Sequence, residues 1–166
     1  MFAIRLVKTV MVASLALFAL LTAYNNVADY GSNYAFVRHT LTMDTTFPDN
    51  ALKGRAIHSP VAWTLAYWLI TLIEATVGIV LAFATWRLAR TVRHPAVFNA
   101  AKACVVIGIG LGFLLWFTGF MVLGGEWFLM WQSRQWNGQE AAFRFYMTLL
   151  AVGIFVILPD GDVTSA

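Results

Sequence analysis

Glu74 is the only ionisable residue near the middle of a long apolar run. A carboxylate at the centre of a membrane-spanning helix costs about 3 kcal/mol on insertion scales, so such a group is expected to face a bundle interior, protonated or hydrogen-bonded. Three chemistries suit it: relaying protons, binding a cation, or contacting a quinone headgroup. The plainer reading is a protonated acid bonded to Thr71, Thr118 or Thr148 that ties helices together. A relay normally needs a series of such groups, and this chain offers one.

Other chemistry-bearing residues point to less. His39, His58 and His94 all lie outside the middles of the apolar runs, which argues against a haem held by two histidines inside a bundle. His39 stands four residues from Met43, a spacing that could turn both toward copper, yet no repeated Met or His pattern accompanies it, and no metal is expected. Cys104 has no second cysteine in the chain and reads as a small buried hydrophobe. The GIGLG run lacks a preceding strand, and no nucleophile elbow, phosphate-binding loop or HExxH is present. The residues therefore carry no enzyme signature, and no cofactor is expected.

The stretch from Gly124 to Arg144, GGEWFLMWQSRQWNGQEAAFR, holds Trp127, Trp131 and Trp136 beside Glu126, Arg134 and Glu140. Tryptophan accumulates where headgroups meet acyl chains, so a segment at a membrane surface is expected, with Glu126 to Arg134 forming about two turns of interfacial helix. Trp127, Met130, Trp131, Arg134 and Trp136 are its candidate contacts with lipid or a partner. Glu126, Arg134, Glu140 and Arg144 could bind an anionic headgroup or a partner loop. Local ion pairing and an aromatic belt explain the same residues without a ligand.

Composition supplies the frame that positions these residues. The chain has 166 residues, 60% of them hydrophobic and 11% charged, with a mean hydropathy of +0.73. Soluble domains carry about 25% charged residues. An all-α integral membrane protein follows, a four-helix transmembrane bundle in a single domain, with spans at about 5–28, 61–88, 97–123 and 139–159. An outer loop at 29–59, an inner link at 89–96 and the interfacial segment at 124–138 connect them. The N-terminus resembles a secretory signal, but its apolar run from Leu6 to about Val27 is long for a signal core, and no clean small-x-small site follows. It reads as a retained first helix.

Local signals refine the frame. Tyr24, Asn25, Asn26 and Asp29 read as the interfacial end of the first span, and Ser32 or Asn33 as the cap of a short helix in the outer loop. Ser59 followed by Pro60 starts the second span, and Pro95 opens the third. Lys102, one turn inside, is expected to extend its stem to the headgroups. Gly108 and Gly112 form a GxxxG pair that marks a packing face. Gly124 and Gly125 are expected to release the third helix, Asn137 and Glu140 to start the fourth, and the tail from Asp160 to be solvated.

The net charge of +3 reads as a topology signal, because the basic residues are spread over helix ends and nucleic acid is not an expected partner. Arg5, Lys8, Arg87, Arg90, Arg93 and Lys102 lie on one side, against Arg38, Lys53, Arg55, Arg134 and Arg144. Three arginines crowd one short link, which places both termini in the cytoplasm.

The IRLVKT opening, the AYNN end of the first helix, Glu74 and above all GGEWFLMWQSRQWNGQEAAFRF make the chain resemble a bacterial family described as predicted small integral membrane proteins, domain of unknown function 2165. The resemblance covers nearly the whole chain. It implies a four-helix protein of the inner membrane and no particular activity. The expected function is a non-catalytic accessory or assembly subunit docking on a larger inner-membrane complex, one of electron transfer, with membrane lipids and other subunits as partners. A small homo-oligomeric transporter or proton-coupled channel using Glu74, and a quinone- or redox-cofactor-binding protein, are the alternatives.

Overall fold

The computed structural model describes residues 2–161, and four of its helices are long and apolar enough to cross a membrane. They are α1 (Phe2–Ala28), α3 (Pro60–Thr91), α4 (Pro95–Phe113) with its continuation Leu114–Trp127, and α5 (Gln139–Ile157). A shorter helix, α2 (Tyr30–Thr42), lies between the first two spans. No strand occurs among the described residues.

Helix starts follow the local chemistry where a proline is present. Ser59 accepts from the Ala62 N–H at 3.4 Å and Pro60 occupies the first turn of α3. Pro95 opens α4 in the same way. Within the spans, Thr9, Thr22, Thr71 and Thr85 each donate to the carbonyl four residues earlier, which satisfies their hydroxyls where water is absent.

Two starts and one end differ from expectation. α2 begins at Tyr30 with Asp29 at its cap position, so neither Ser32 nor Asn33 caps it. α5 has Gly138 at its cap position, and the Asn137 side chain accepts instead from the Gln139 N–H at 3.1 Å. Gly124 and Gly125 do not end the third span: the chain winds on through them as a π-helix from Leu114 to Trp127. Both are buried because neighbours occupy the space a side chain would need, Met130 against Gly124 and the Gln139 amide against Gly125.

α1 does not end at a bundle boundary either. α2 follows after a single residue and continues along α3, so Tyr30 and Tyr34 reach the Tyr67 ring, and the Leu41 carbonyl accepts from Ile57 N–H at 2.8 Å. Asn26, just before the end of α1, lies beside Glu74 near the middle of α3. The reason is tertiary: Asn26 is needed there as a partner for Glu74.

The core is built from small residues facing large ones. Leu20 fills the space beside Gly78, Leu81 that beside Gly108, and Leu149 that beside Gly112. The GxxxG pair thus serves two helices, Gly108 taking a leucine from α3 and Gly112 one from α5. Trp116 is buried between Phe18 and Phe145, with ring centroids 5.8 and 5.6 Å away.

Candidate functional site

Four polar or open places stand out in this bundle, beginning with the cap at its loop-rich end. The segment after Trp127 forms one 3-10 turn, Met130–Gln132, instead of two turns of interfacial helix. Its side chains are committed to the facing loop. Thr45 donates to Ser133 Oγ at 2.9 Å, and Gln132 Oε1 accepts from the Phe47 N–H and the Asn50 amide, both at 3.1 Å. Arg55 lies over the Trp127 ring at 4.6 Å and donates to the Trp127 carbonyl at 3.2 Å.

Beneath these bonds Met43, Phe128 and Leu129 form a small buried cluster. Met43 and Leu129 both hold left-handed backbone, with φ of 50° and 54°. For residues with a β-carbon that conformation costs on the order of 1–2 kcal/mol, and it persists only where surrounding packing imposes it.

The sequence-chosen contact residues divide at this cap. Trp127 and Trp131 are 51% and 48% exposed, beside Phe47 at 48%. Met130 is buried under Gly124, and Trp136 stacks on the His39 ring at 4.7 Å. Arg134 is exposed at the rim of a shallow depression with Thr45 and Pro48. Of the four charges expected to gather, Glu140 and Arg144 pair at 3.6 Å on the exposed face of α5. His39 turns its Nδ1 to Asp44 at 2.8 Å, and Met43 is in the buried cluster, so the two do not share a metal-facing surface.

Below the cap a cleft of about 410 Å³ separates α3 from the π-helical continuation of α4. Its cause is that continuation, which packs against α5 far more than against α3. Phe36 and Thr40 of α2 form one side, Leu111 and Leu115 lie at the bundle end, and Phe128 and Met130 close the cap end. Leu69, Leu114 and Leu123 border it and are 59%, 59% and 51% exposed, so it opens sideways. Sequence reasoning missed this cleft, because a π segment carries no periodicity distinct from the apolar run around it.

Glu74 is buried between α1 and α3, and its Oε2 accepts from the Asn26 amide at 2.5 Å. The Asn26 carbonyl in turn accepts from the Tyr67 hydroxyl. Thr71 and Thr148 bond to their own helices, so the threonine partners expected from sequence give way to an asparagine.

At the opposite end, Asp160 departs most from expectation. It is buried, and its Oδ2 accepts from Lys8 at 2.8 Å and Lys102 at 2.6 Å. Both ammonium groups also donate to the Leu158 carbonyl at 2.7 Å, and Asn99 bonds the Asp160 backbone from both sides, accepting at 3.1 Å and donating at 2.9 Å. Burial raises the Asp160 pKa, but the hydrogen bonds from Lys102 and Lys8 outweigh it and hold the carboxyl below its ordinary value. Neither the snorkelling Lys102 nor the solvated Asp160 is observed. Each satisfies the other's buried charge. The rest of the tail, 162–166, lies outside the described residues.

Residues 4–159 match the family model described as predicted small integral membrane protein, domain of unknown function 2165. No curated protein and no solved structure matches the chain.

Proposed function

The chain belongs to the family of predicted small integral membrane proteins, and on that premise we propose that it is a non-catalytic accessory or assembly subunit that docks on a larger membrane complex through its cap. The observation that carries this reading is the pairing of a rigid cap with open aromatic rings. Hydrogen bonds across the cap and two left-handed residues hold it in one shape before any partner arrives. Trp127, Trp131 and Phe47 remain half-exposed on it. Pre-ordered tryptophan is what protein interfaces use for anchoring, since little side-chain entropy is lost on contact.

In this reading the protein resides in a bacterial inner membrane with both termini in the cytoplasm. Arg90 and Arg93, exposed in and just after the last turn of α3, support that orientation. Lys8 and Lys102 lend it less, being held inside the bundle on the one Asp160 carboxylate. A complex of electron transfer is the proposed host.

A tagged copy expressed at native level and extracted in mild detergent should bring down defined membrane subunits in fixed ratio. The double variant Trp127→Ala, Trp131→Ala should lose them while the bundle keeps its unfolding midpoint. A wild-type protein that always purifies alone and monodisperse would sink this function.

A further inference from the structure

We infer that Arg87, Arg90 and Arg93, where α3 leaves the membrane, hold the headgroup of an anionic phospholipid whose acyl chain lies along Ile79 and Phe83.

The length of α3 sets the level. Its 32 residues span about 48 Å at 1.5 Å per residue, against a hydrocarbon core of roughly 30 Å. With the span centred, about six residues at each end stand among the headgroups, which places Trp86 to Thr91 there. Ile79, Phe83, Trp86 and Arg90 recur at steps of three and four and so form one stripe of the helix. The first three are 62%, 50% and 53% exposed, and Arg90 is exposed with its guanidinium 5.5 Å from the centre of the Trp86 ring. Apolar side chains, an interfacial tryptophan and a cation thus follow one another in the order of a phospholipid's chain, ester region and phosphate.

The partners of the arginines assign the charge. At the opposite end Arg55 donates to the Trp127 carbonyl and Arg144 pairs with Glu140. Arg87, half-buried between α3 and α4, donates only to Cys104 Sγ at 3.1 Å, a weak acceptor for a group with five N–H donors. Arg90 and Arg93 are both exposed and pair with no carboxylate among the described residues. Asp160, the described acid at this end, is buried and already holds Lys8 and Lys102. Three guanidinium groups within two turns therefore meet the headgroup layer with no anion of the described chain beside them, and phosphate oxygens are the acceptors that layer supplies. A zwitterionic headgroup brings a cation of its own beside the phosphate, so a net negative lipid fits these arginines better.

The full chain in mild detergent, stripped of endogenous lipid, is titrated with dioleoyl phosphatidylglycerol in one arm and dioleoyl phosphatidylcholine in the other, and bound molecules are counted by native mass spectrometry. Phosphatidylglycerol should saturate one site at least tenfold more tightly than phosphatidylcholine. The triple variant Arg87→Gln, Arg90→Gln, Arg93→Gln should lose that preference. Arg38→Gln, Arg134→Gln, Arg144→Gln removes the same charge from the opposite end and should keep it. Arg90→Gln and Arg93→Gln as single changes on exposed side chains should each weaken phosphatidylglycerol binding about fivefold, the equivalent of roughly 1 kcal/mol per arginine, and they decide the matter if the triple variant does not fold. All variants are compared at matched unfolding midpoints. Equal affinity for the two lipids, undiminished phosphatidylglycerol binding by the α3 variants, or an equal loss in the opposite-end variant overturns the assignment.

Discussion

Asn26 donates to Glu74 at 2.5 Å just before α1 gives way to α2. One hydrogen bond thus joins a helix break to a buried carboxyl. The bond does not require the carboxyl to be charged, because a glutamine oxygen accepts equally well.

Glu74→Gln should therefore change stability by less than about 1 kcal/mol, while Asn26→Leu, which strands the buried carboxyl, should cost about 1–3 kcal/mol. Unfolding in mixed detergent with added dodecyl sulfate measures both. Equal losses from the two variants would contradict this account of the pair.

Asp160 should give the protein an acid limb. Its folded pKa lies below the ordinary carboxylate value, so its contribution is complete above that value and is lost as the pH falls through the lower one. Asp160→Asn should flatten this limb and cost about 3 kcal/mol at neutral pH, since two buried lysines lose their counter-ion. Adding Lys102→Met to Asp160→Asn should recover part of the loss. Stability measured against pH for the three proteins checks all of this.

The glycines of α4 separate by what they face. An added Cβ at Gly112 would meet Leu149 at 2.6 Å, and one at Gly108 would meet Leu81 at the same distance, whereas Gly110 has nothing within 4 Å. Gly110→Ala should be neutral or stabilising by up to about 1 kcal/mol through helix propensity. Gly108→Leu and Gly112→Leu should each cost about 2–3 kcal/mol by overpacking. Thermal unfolding of the series in detergent should rank them in that order.

Within the cap, Gln132→Ala removes the acceptor shared by Phe47 and Asn50 and should loosen the loop without unfolding the bundle. Amide exchange at the Phe47 N–H should speed up by about tenfold, the equivalent of roughly 1.4 kcal/mol. Exchange in the middle of α3 should stay as in the wild type.

Much of the fold was legible because the bilayer imposes it. Twenty-residue apolar runs, Ser59 with Pro60 and Pro95 are local signals, and each reports the structure within its own few residues. What sequence reasoning misplaced depends on partners far along the chain. Asn26 looks like an interfacial residue until Glu74 stands beside it, and Asp160 like a solvated tail until Lys8 and Lys102 do. The cleft depends on where α4 leaves α3, a question of packing that no local pattern encodes.

The Asp160 cluster also has a meaning in time. Lys8 leaves the ribosome 152 residues ahead of its counter-ion, and Lys102 58 residues ahead. At translation rates of about 5–20 residues per second, α1 waits on the order of ten seconds for this counter-ion. The ion pairs that tie Lys8 and Lys102 to the end of the last span are therefore the last contacts of the bundle to form, once synthesis has passed Asp160.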